Sequence, residues 1–189
     1  MTVTPAGGPR AEGLLLRPFR AQDAPALVEI YRDPALRRFT RTPVTDLDGA
    51  ARWLAVQDRG RADGTRYSFA VLEGGLLVAN VVLKLGGPGA PGAEVGYWTA
   101  AAARGRGVAP RALAALTDWA AEAFCAAGPV RLDLFHEGDN EASCRVAEKA
   151  GYPFEALVPR LPPQYPLDGH WHSRPAGGGG RRPAGGAGG

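Results

Sequence analysis

The chain has 189 residues, of which 45% are hydrophobic and 22% charged, and its formal net charge is +3. That composition suits one globular domain with a short tail and excludes a low-complexity or disulfide-stapled chain. No stretch approaches the ~20 apolar residues of a membrane helix, so no membrane partner is expected.

The charge is unevenly placed. Residues 173–189 carry Arg174, Arg181 and Arg182 and no acid, and the rest of the chain holds 19 basic against 19 acidic residues. A neutral body argues against a nucleic-acid partner. Arginine outnumbers lysine 20 to 2, a pattern that reads as coding bias. Met1 to Pro5 has no charged region followed by an apolar run, so a cytoplasmic protein without a signal peptide is expected. The two cysteines, Cys125 and Cys144, form no CxxC, and no Cys/His cluster is visible. They read as small core residues, and no metal is expected.

In chain order, residues 1–11 read as a flexible terminus. Leu14 to Phe19 reads as a first strand. Asp23 reads as the cap of a helix carrying Leu27, Ile30 and Tyr31, with Pro34 as its stop. Thr45 to Asp48 resembles a capping box for a second helix bearing Leu47, Ala50, Trp53 and Leu54, which ends at Gly60 to Gly64. Tyr67 to Leu72 and Leu76 to Leu85 predict a hairpin turning at Glu73-Gly-Gly75. After a Gly/Pro/Ala loop, Ala93 to Trp98 predicts a fourth strand, with Val95 and Tyr97 on one face and Glu94, Gly96 and Trp98 on the other.

A helix begins directly after Arg104-Gly-Arg-Gly107, with Ala109, Leu113, Leu116, Ala120 and Phe124 along one stripe. Val130 to Phe135 predicts a fifth strand. Asn140 then caps a helix that stops at Gly151, and Tyr152 to Val158 predicts a sixth strand. From Ser173 onward the chain is Gly, Ala, Pro and Arg with one serine, a tail that cannot build a core. The order predicts a single α/β (α+β) domain over residues 12–172.

The strand–Arg104-Gly105-Arg106-Gly107-Val108-Ala109–helix junction has the makings of an anion site. First-turn N–H groups of a helix lack internal partners, and its dipole adds about half a positive charge there. The glycines admit close backbone approach, and the arginines add charge-assisted bonds. The bland alternative is a surface loop before a helix. A Walker loop is excluded because no lysine is present, and a dinucleotide fingerprint lacks its third glycine.

Glu94-Val-Gly-Tyr-Trp98, then Arg104-Gly-Arg-Gly-Val-Ala109, then Asn140-Glu-Ala-Ser143 followed by Ala150-Gly-Tyr152, resemble the GNAT acyltransferases, and within them the RimJ/RimL-like branch. The likeness is dense over 93–158 and looser over 13–85. It implies a mixed, mostly antiparallel sheet of about six strands, four flanking helices, and fourth and fifth strands that splay apart around acetyl-CoA. It further implies that the backbone of Trp98 and Thr99 holds the pantetheine, that Arg104, Gly105, Arg106, Gly107, Val108 and Ala109 hold the pyrophosphate, and that Asn140 contacts the CoA arm. Ser143 would stand near the sulfur as general acid.

Acetyl transfer to an amine needs a base, a polarised carbonyl and a proton for the departing thiolate. Glu94 is the candidate base, acting through water, because an acid in an apolar strand is desolvated and its pKa rises. Read without the resemblance, it is a solvated strand residue. His136, at the end of the fifth strand, reads as incidental. Arg37, Arg38 and Arg41 lie between the first two helices, where acceptors bind in this family; they also read as solvated charges. The resemblance implies that the acceptor is a primary amine, either a protein N-terminus or a small molecule, attacked directly in a ternary complex by a monomeric or homodimeric enzyme.

One departure stands out. Asp168-Gly-His-Trp171 matches the turn before the family's last strand, but no apolar strand can be read after it. The abrupt change reads as a shifted frame or degenerate terminus. It raises a second possibility, a catalytically impaired CoA-binding protein that lacks its last strand.

Overall fold

The computed structural model describes residues 8–40, 43–86, 92–124, 130–162 and 166–176. In chain order the elements are β1 (Arg10–Ala11), β2 (Leu14–Pro18), α1 (Ala24–Ile30), α2 (Pro34–Phe39), α3 (Leu47–Ala62), β3 (Arg66–Glu73), β4 (Leu76–Leu85), β5 (Gly92–Thr99), α4 (Val108–Phe124), β6 (Val130–Glu137), α5 (Glu141–Lys149), β7 (Phe154–Val158) and β8 (Gly169–Ala176). Short 3-10 turns occupy Ala21–Asp23 and Ala101–Ala103.

The predicted hairpin forms β3 and β4. Gly74 and Gly75 both take positive φ, 57° and 84°, the geometry that matches a two-residue turn to strand twist. Among the described residues the sheet has eight strands in the order β1-β2-β3-β4-β5-β6-β8-β7, not about six. Every neighbouring pair is antiparallel except β5 with β6. Among the described residues five α-helices flank it instead of four. α4 and α5 pack on one face with Val95, Leu132 and Leu134. The α1–α3 layer covers the other face with Phe19, Leu27, Tyr31, Leu54 and Trp98.

Several boundaries differ from the sequence expectation. Arg10 and Ala11 are not part of a flexible terminus; they pair with β2. Residues 1–7 lie outside the described residues, as do Arg41 and Cys125. Pro34 does not simply stop α1. It opens α2, with Asp33 as N-cap accepting from the Ala35 N–H, because a proline at the first helical position loses no bond. The cap of α3 is Asp46, whose carboxylate accepts from the Gly49 N–H at 2.6 Å, one residue later than the Thr45 box implied. Asp23 makes no cap bond to α1. It takes both Arg17 guanidinium nitrogens and the Arg20 N–H at 2.8 Å each.

The largest correction concerns the last strand. β8 forms, and it lies between β6 and β7, paired to both. It also runs through Ser173 to Ala176, residues assigned to the tail. Residues 177–189 lie outside the described residues. Two partner strands satisfy its backbone on both sides, so it needs little apolar content of its own. Its side chains are tied individually. The Trp171 indole N–H donates to Asp133 Oδ1 at 2.8 Å, and its ring stacks on Phe135. Arg174 donates to the Ala150 carbonyl at 2.8 Å, and the Ser173 hydroxyl donates to Glu155 at 2.9 Å. His172 is fully buried. The possibility of a missing last strand loses its premise.

Candidate active site in the cleft between β5 and β6

β5 and β6 run parallel and pair from Gly92 with Arg131 through Val95 with Leu134. Beyond that point no pairing joins them, although β5 continues to Thr99 and β6 to Glu137. Gly92 lets the paired end close, since a Cβ there would meet the Arg131 carbonyl oxygen at 2.6 Å. The strands therefore part in a V with its vertex between Val95 and Gly96. Gly96 to Thr99 still pair with β4 on their other side. In an antiparallel pair every second residue turns its N–H and C=O away from its partner, so this stretch presents backbone donors and acceptors to the cleft.

The C-terminal end of β5 leads through the Ala101–Ala103 turn into Arg104-Gly-Arg-Gly107 and the N-terminus of α4. Gly105 and Gly107 both have φ of +73°, where a side chain is strained, and no atom lies within 4 Å of either prospective Cβ. The 17-residue α4 directs its dipole and free first-turn N–H groups at this open space. Val108 and Ala109 are buried and face the core, leaving their backbone to the cradle. The arginines are engaged by acids: Arg104 with Asp33 at the cap of α2, Arg106 with Glu73 at the hairpin tip. Burial pushes the Asp33 carboxyl up, but Arg104 and the Ala35 and Leu36 N–H groups outweigh it and hold it below the usual range. Both arginine side chains are about half exposed and free to exchange partners.

Trp98 sends its side chain into the α1–α3 layer, 6% exposed and edge-on to Tyr31. Only its backbone remains available to the cleft. Burial pushes the Tyr31 phenol up to about 12, with the Trp98 indole opposing.

On the α5 side, Asn140 caps the helix by accepting from the Ser143 N–H at 3.2 Å. Ser143 is buried in the first turn and accepts a 2.9 Å hydrogen bond from the Tyr97 hydroxyl. Tyr97 stands in the parted stretch of β5, two residues past Val95. Burial pushes its phenol up, the Ser143 bond opposes this, and Cys144 adds to it. Alternation along β5 puts Tyr97 on this face, but no sequence motif marks a role for it. The signal was there: it shares the face that meets the Asn140-x-x-Ser143 helix.

Glu94 lies just below the vertex on the opposite face, in register with Lys84 on β4 and Asp133 on β6. It is not desolvated as expected. Its side chain is 43% exposed and ion-paired with Lys84. Together with Arg131 and Asp133 these residues line an open depression at the N-terminal end of β5, the end away from the cradle. Arg37 donates to the Tyr31 carbonyl, and Arg38 pairs with Asp139 in the turn before α5. With Arg104–Asp33, that pair fastens α2 to both sides of the cleft.

The sequence profile of the acetyltransferase (GNAT) domain matches residues 13–153. The chain belongs to the GNAT acetyltransferase family. As a GNAT enzyme it is an acyltransferase. Among solved structures it resembles RimL, a ribosomal L7/L12 α-N-protein acetyltransferase solved with coenzyme A: TM-score 0.78, 19% identity, 89% of this chain and 97% of that one. It resembles Mycobacterium smegmatis RimJ, solved with a CoA-disulfide, at TM-score 0.75 and 21% identity, over 90% of this chain and 86% of that one. A Salmonella typhimurium acetyltransferase that modifies the N-terminal serine of L7/L12 aligns at TM-score 0.73 and 18% identity, over 87% and 95%. At these identities the likeness is one of fold. No curated protein matches the chain. No helix of the described residues is long and apolar enough to cross a membrane.

A second grouping escaped the sequence reading. His136, His170, His172 and Cys144 offer ligand atoms that all lie within 4.8 Å of one another. The four positions are scattered over β6, α5 and β8, and only the His170-x-His172 spacing, which puts two side chains on one strand face, hinted at it.

Proposed function

We propose that this GNAT enzyme moves an acetyl group from acetyl-CoA to the α-amine of a protein N-terminus, by direct attack in a ternary complex. The observation that carries this reading is the parting of β5 and β6 directly in line with the glycine cradle on α4. In this account the pyrophosphate lies against Arg104 to Ala109. The pantetheine runs along the open backbone of Trp98 and Thr99, which brings the thioester to the vertex beside Gly96. The amide N–H groups of Asn140 remain free to donate to the CoA arm while its oxygen caps α5.

The acceptor approaches from the α1–α3 side. Glu94, through a water, takes the proton from the ammonium, and the amine nitrogen forms its bond to the thioester carbonyl carbon. Open N–H groups of β5 stabilise the oxyanion. The carbon–sulfur bond then breaks, and the thiolate receives a proton from Ser143, which is resupplied by Tyr97. The raised Tyr97 phenol stays protonated at neutral pH and keeps this relay charged. Lys84 must release Glu94 in the working complex. The ribosomal-protein acetyltransferases of like fold favour a protein amine over a small molecule.

The test is acetyl-CoA-dependent acetylation of a peptide set with free N-termini, read by thiol release and mass spectrometry. Free peptides should gain one acetyl group at the α-amine and N-terminally blocked ones none. Modification of lysine side chains or small amines alone would overturn the acceptor assignment.

A further inference from the structure

All three histidines of the chain and Cys144 converge on one point between β6, α5 and β8. His136 Nε2 lies 3.2 Å from His172 Nε2 and 3.5 Å from Cys144 Sγ. Cys144 Sγ lies 3.1 Å from His170 Nδ1. Around a tetrahedral zinc ion with ordinary bond lengths, two nitrogens stand about 3.3 Å apart and a sulfur and a nitrogen about 3.6 Å apart. The 3.2 Å and 3.5 Å separations fall close to those edges, the Cys144–His170 separation is shorter than its own, and all four ligand atoms lie within 4.8 Å of one another.

The outer hydrogen bonds point the same way. His136 Nδ1 meets the Glu137 carbonyl at 2.8 Å, and His172 Nδ1 meets the Tyr152 carbonyl at 3.1 Å. A carbonyl oxygen only accepts, so both Nδ1 atoms carry the proton. In the neutral rings both Nε2 atoms then present lone pairs, facing each other at 3.2 Å. They cannot satisfy one another, and His172 is fully buried, out of reach of bulk water. A backbone carbonyl on Nδ1 with a free Nε2 is the arrangement that orients metal-ligating histidine.

We infer that His136, His170, His172 and Cys144 form a closed, four-coordinate site for a zinc-class divalent ion. Three imidazoles and one thiolate suit zinc over harder cations. Four protein ligands leave no open position, so the ion is structural. It ties β8 to β6 and α5, and so supplies cohesion to a strand of sequence Gly-His-Trp-His-Ser-Arg-Pro-Ala that is poor in apolar anchors.

The experiment uses the untagged full chain, stripped with a chelator, reloaded with zinc or cobalt and desalted. The expected result is one equivalent of metal per chain. The cobalt form should carry intense visible bands of four-coordinate geometry and a thiolate-to-metal charge-transfer band. Cys144→Ser should lose that charge-transfer band, and His170→Gln should lower the retained metal at least tenfold. The zinc form of the wild type should melt above the stripped form. Retention below a tenth of an equivalent, or an octahedral cobalt spectrum without the thiolate band, overturns the site; both are read on the wild type alone. Wild-type retention and spectra in both variants would equally overturn it.

Discussion

The Tyr97 hydroxyl donates to Ser143 Oγ across 2.9 Å, joining the parted stretch of β5 to the first turn of α5. Both side chains are inside the protein, and the bond leaves the serine hydrogen free to point into the cleft. If the two act as one proton relay, their effects are not additive. Tyr97→Phe and Ser143→Ala should each lower kcat by about ten- to a hundredfold. The double variant should be no worse than the poorer single one, and KM for acetyl-CoA should change little. Steady-state kinetics on the four proteins checks this; multiplying losses would refute a shared relay.

Glu94 tests the base assignment. Glu94→Gln keeps size and removes the carboxylate, so kcat should fall by about a hundredfold with acetyl-CoA affinity preserved. Calorimetric titration of the cofactor alongside turnover separates the two quantities. Full activity in the variant would return Glu94 to the plain role of partner for Lys84.

The cradle depends on backbone geometry. Gly105 and Gly107 both sit at φ +73°, and an L side chain there costs about 1–2 kcal/mol. Gly107→Ala should weaken CoA binding by about tenfold, since 1.4 kcal/mol is one decade of Kd. The space around each glycine is open, so no steric clash complicates the comparison. An unchanged Kd by titration would mean the diphosphate lies elsewhere.

Stability at low pH turns on Asp23. Burial pushes its carboxyl up, but the Arg17 guanidinium and the Arg20 N–H outweigh this and hold it below the ordinary value. A depressed folded-state pKa contributes stability that is complete above the unfolded pKa of about 3.9 and is lost as pH falls through the folded value. Asp23→Asn should lower stability by about 3 kcal/mol at neutral pH. Its melting temperature should also fall less steeply than the wild type's below about pH 4. Parallel acid profiles would show that Asp23 contributes nothing to acid lability.

β8 gives a truncation test. Ending the chain after Asp168 strips both β6 and β7 of their shared partner. Such a chain should lose its cooperative melt by circular dichroism. A sharp transition near that of the full chain would make the last strand dispensable.

The parts of this fold written in apolar periodicity were legible. The Leu113, Leu116 and Ala120 stripe of α4, the hairpin with its paired glycines, and the alternation of Val95 and Tyr97 against Glu94 and Trp98 all follow from spacing. The strand–glycine–helix junction at Arg104 to Ala109 was legible because glycine and arginine types mark it locally; that it cradles a pyrophosphate is the proposal made above. β8 was not, because its stability comes from two flanking strands and from polar ties such as Trp171 to Asp133, which no local pattern records. The environment of Glu94 is not legible in the sequence for a similar reason. Its strand neighbours are apolar, but Lys84 and Asp133 arrive from other strands. The convergence of His136, Cys144, His170 and His172 is likewise a property of the sheet order, in which β8 inserts beside β6.

The central claim is that acetyl-CoA occupies the parted β5–β6 cleft of this chain. A thermal melt of the full chain with and without acetyl-CoA tests it most directly. At a hundredfold excess over its dissociation constant, a ligand bound only to the native state adds about 2.7 kcal/mol. For a chain of this size that is a rise of about 5–10 °C. The account predicts such a rise in the wild type and a smaller one in Gly107→Ala at the same acetyl-CoA concentration. A cooperative wild-type transition that stays in place at saturating acetyl-CoA would contradict it.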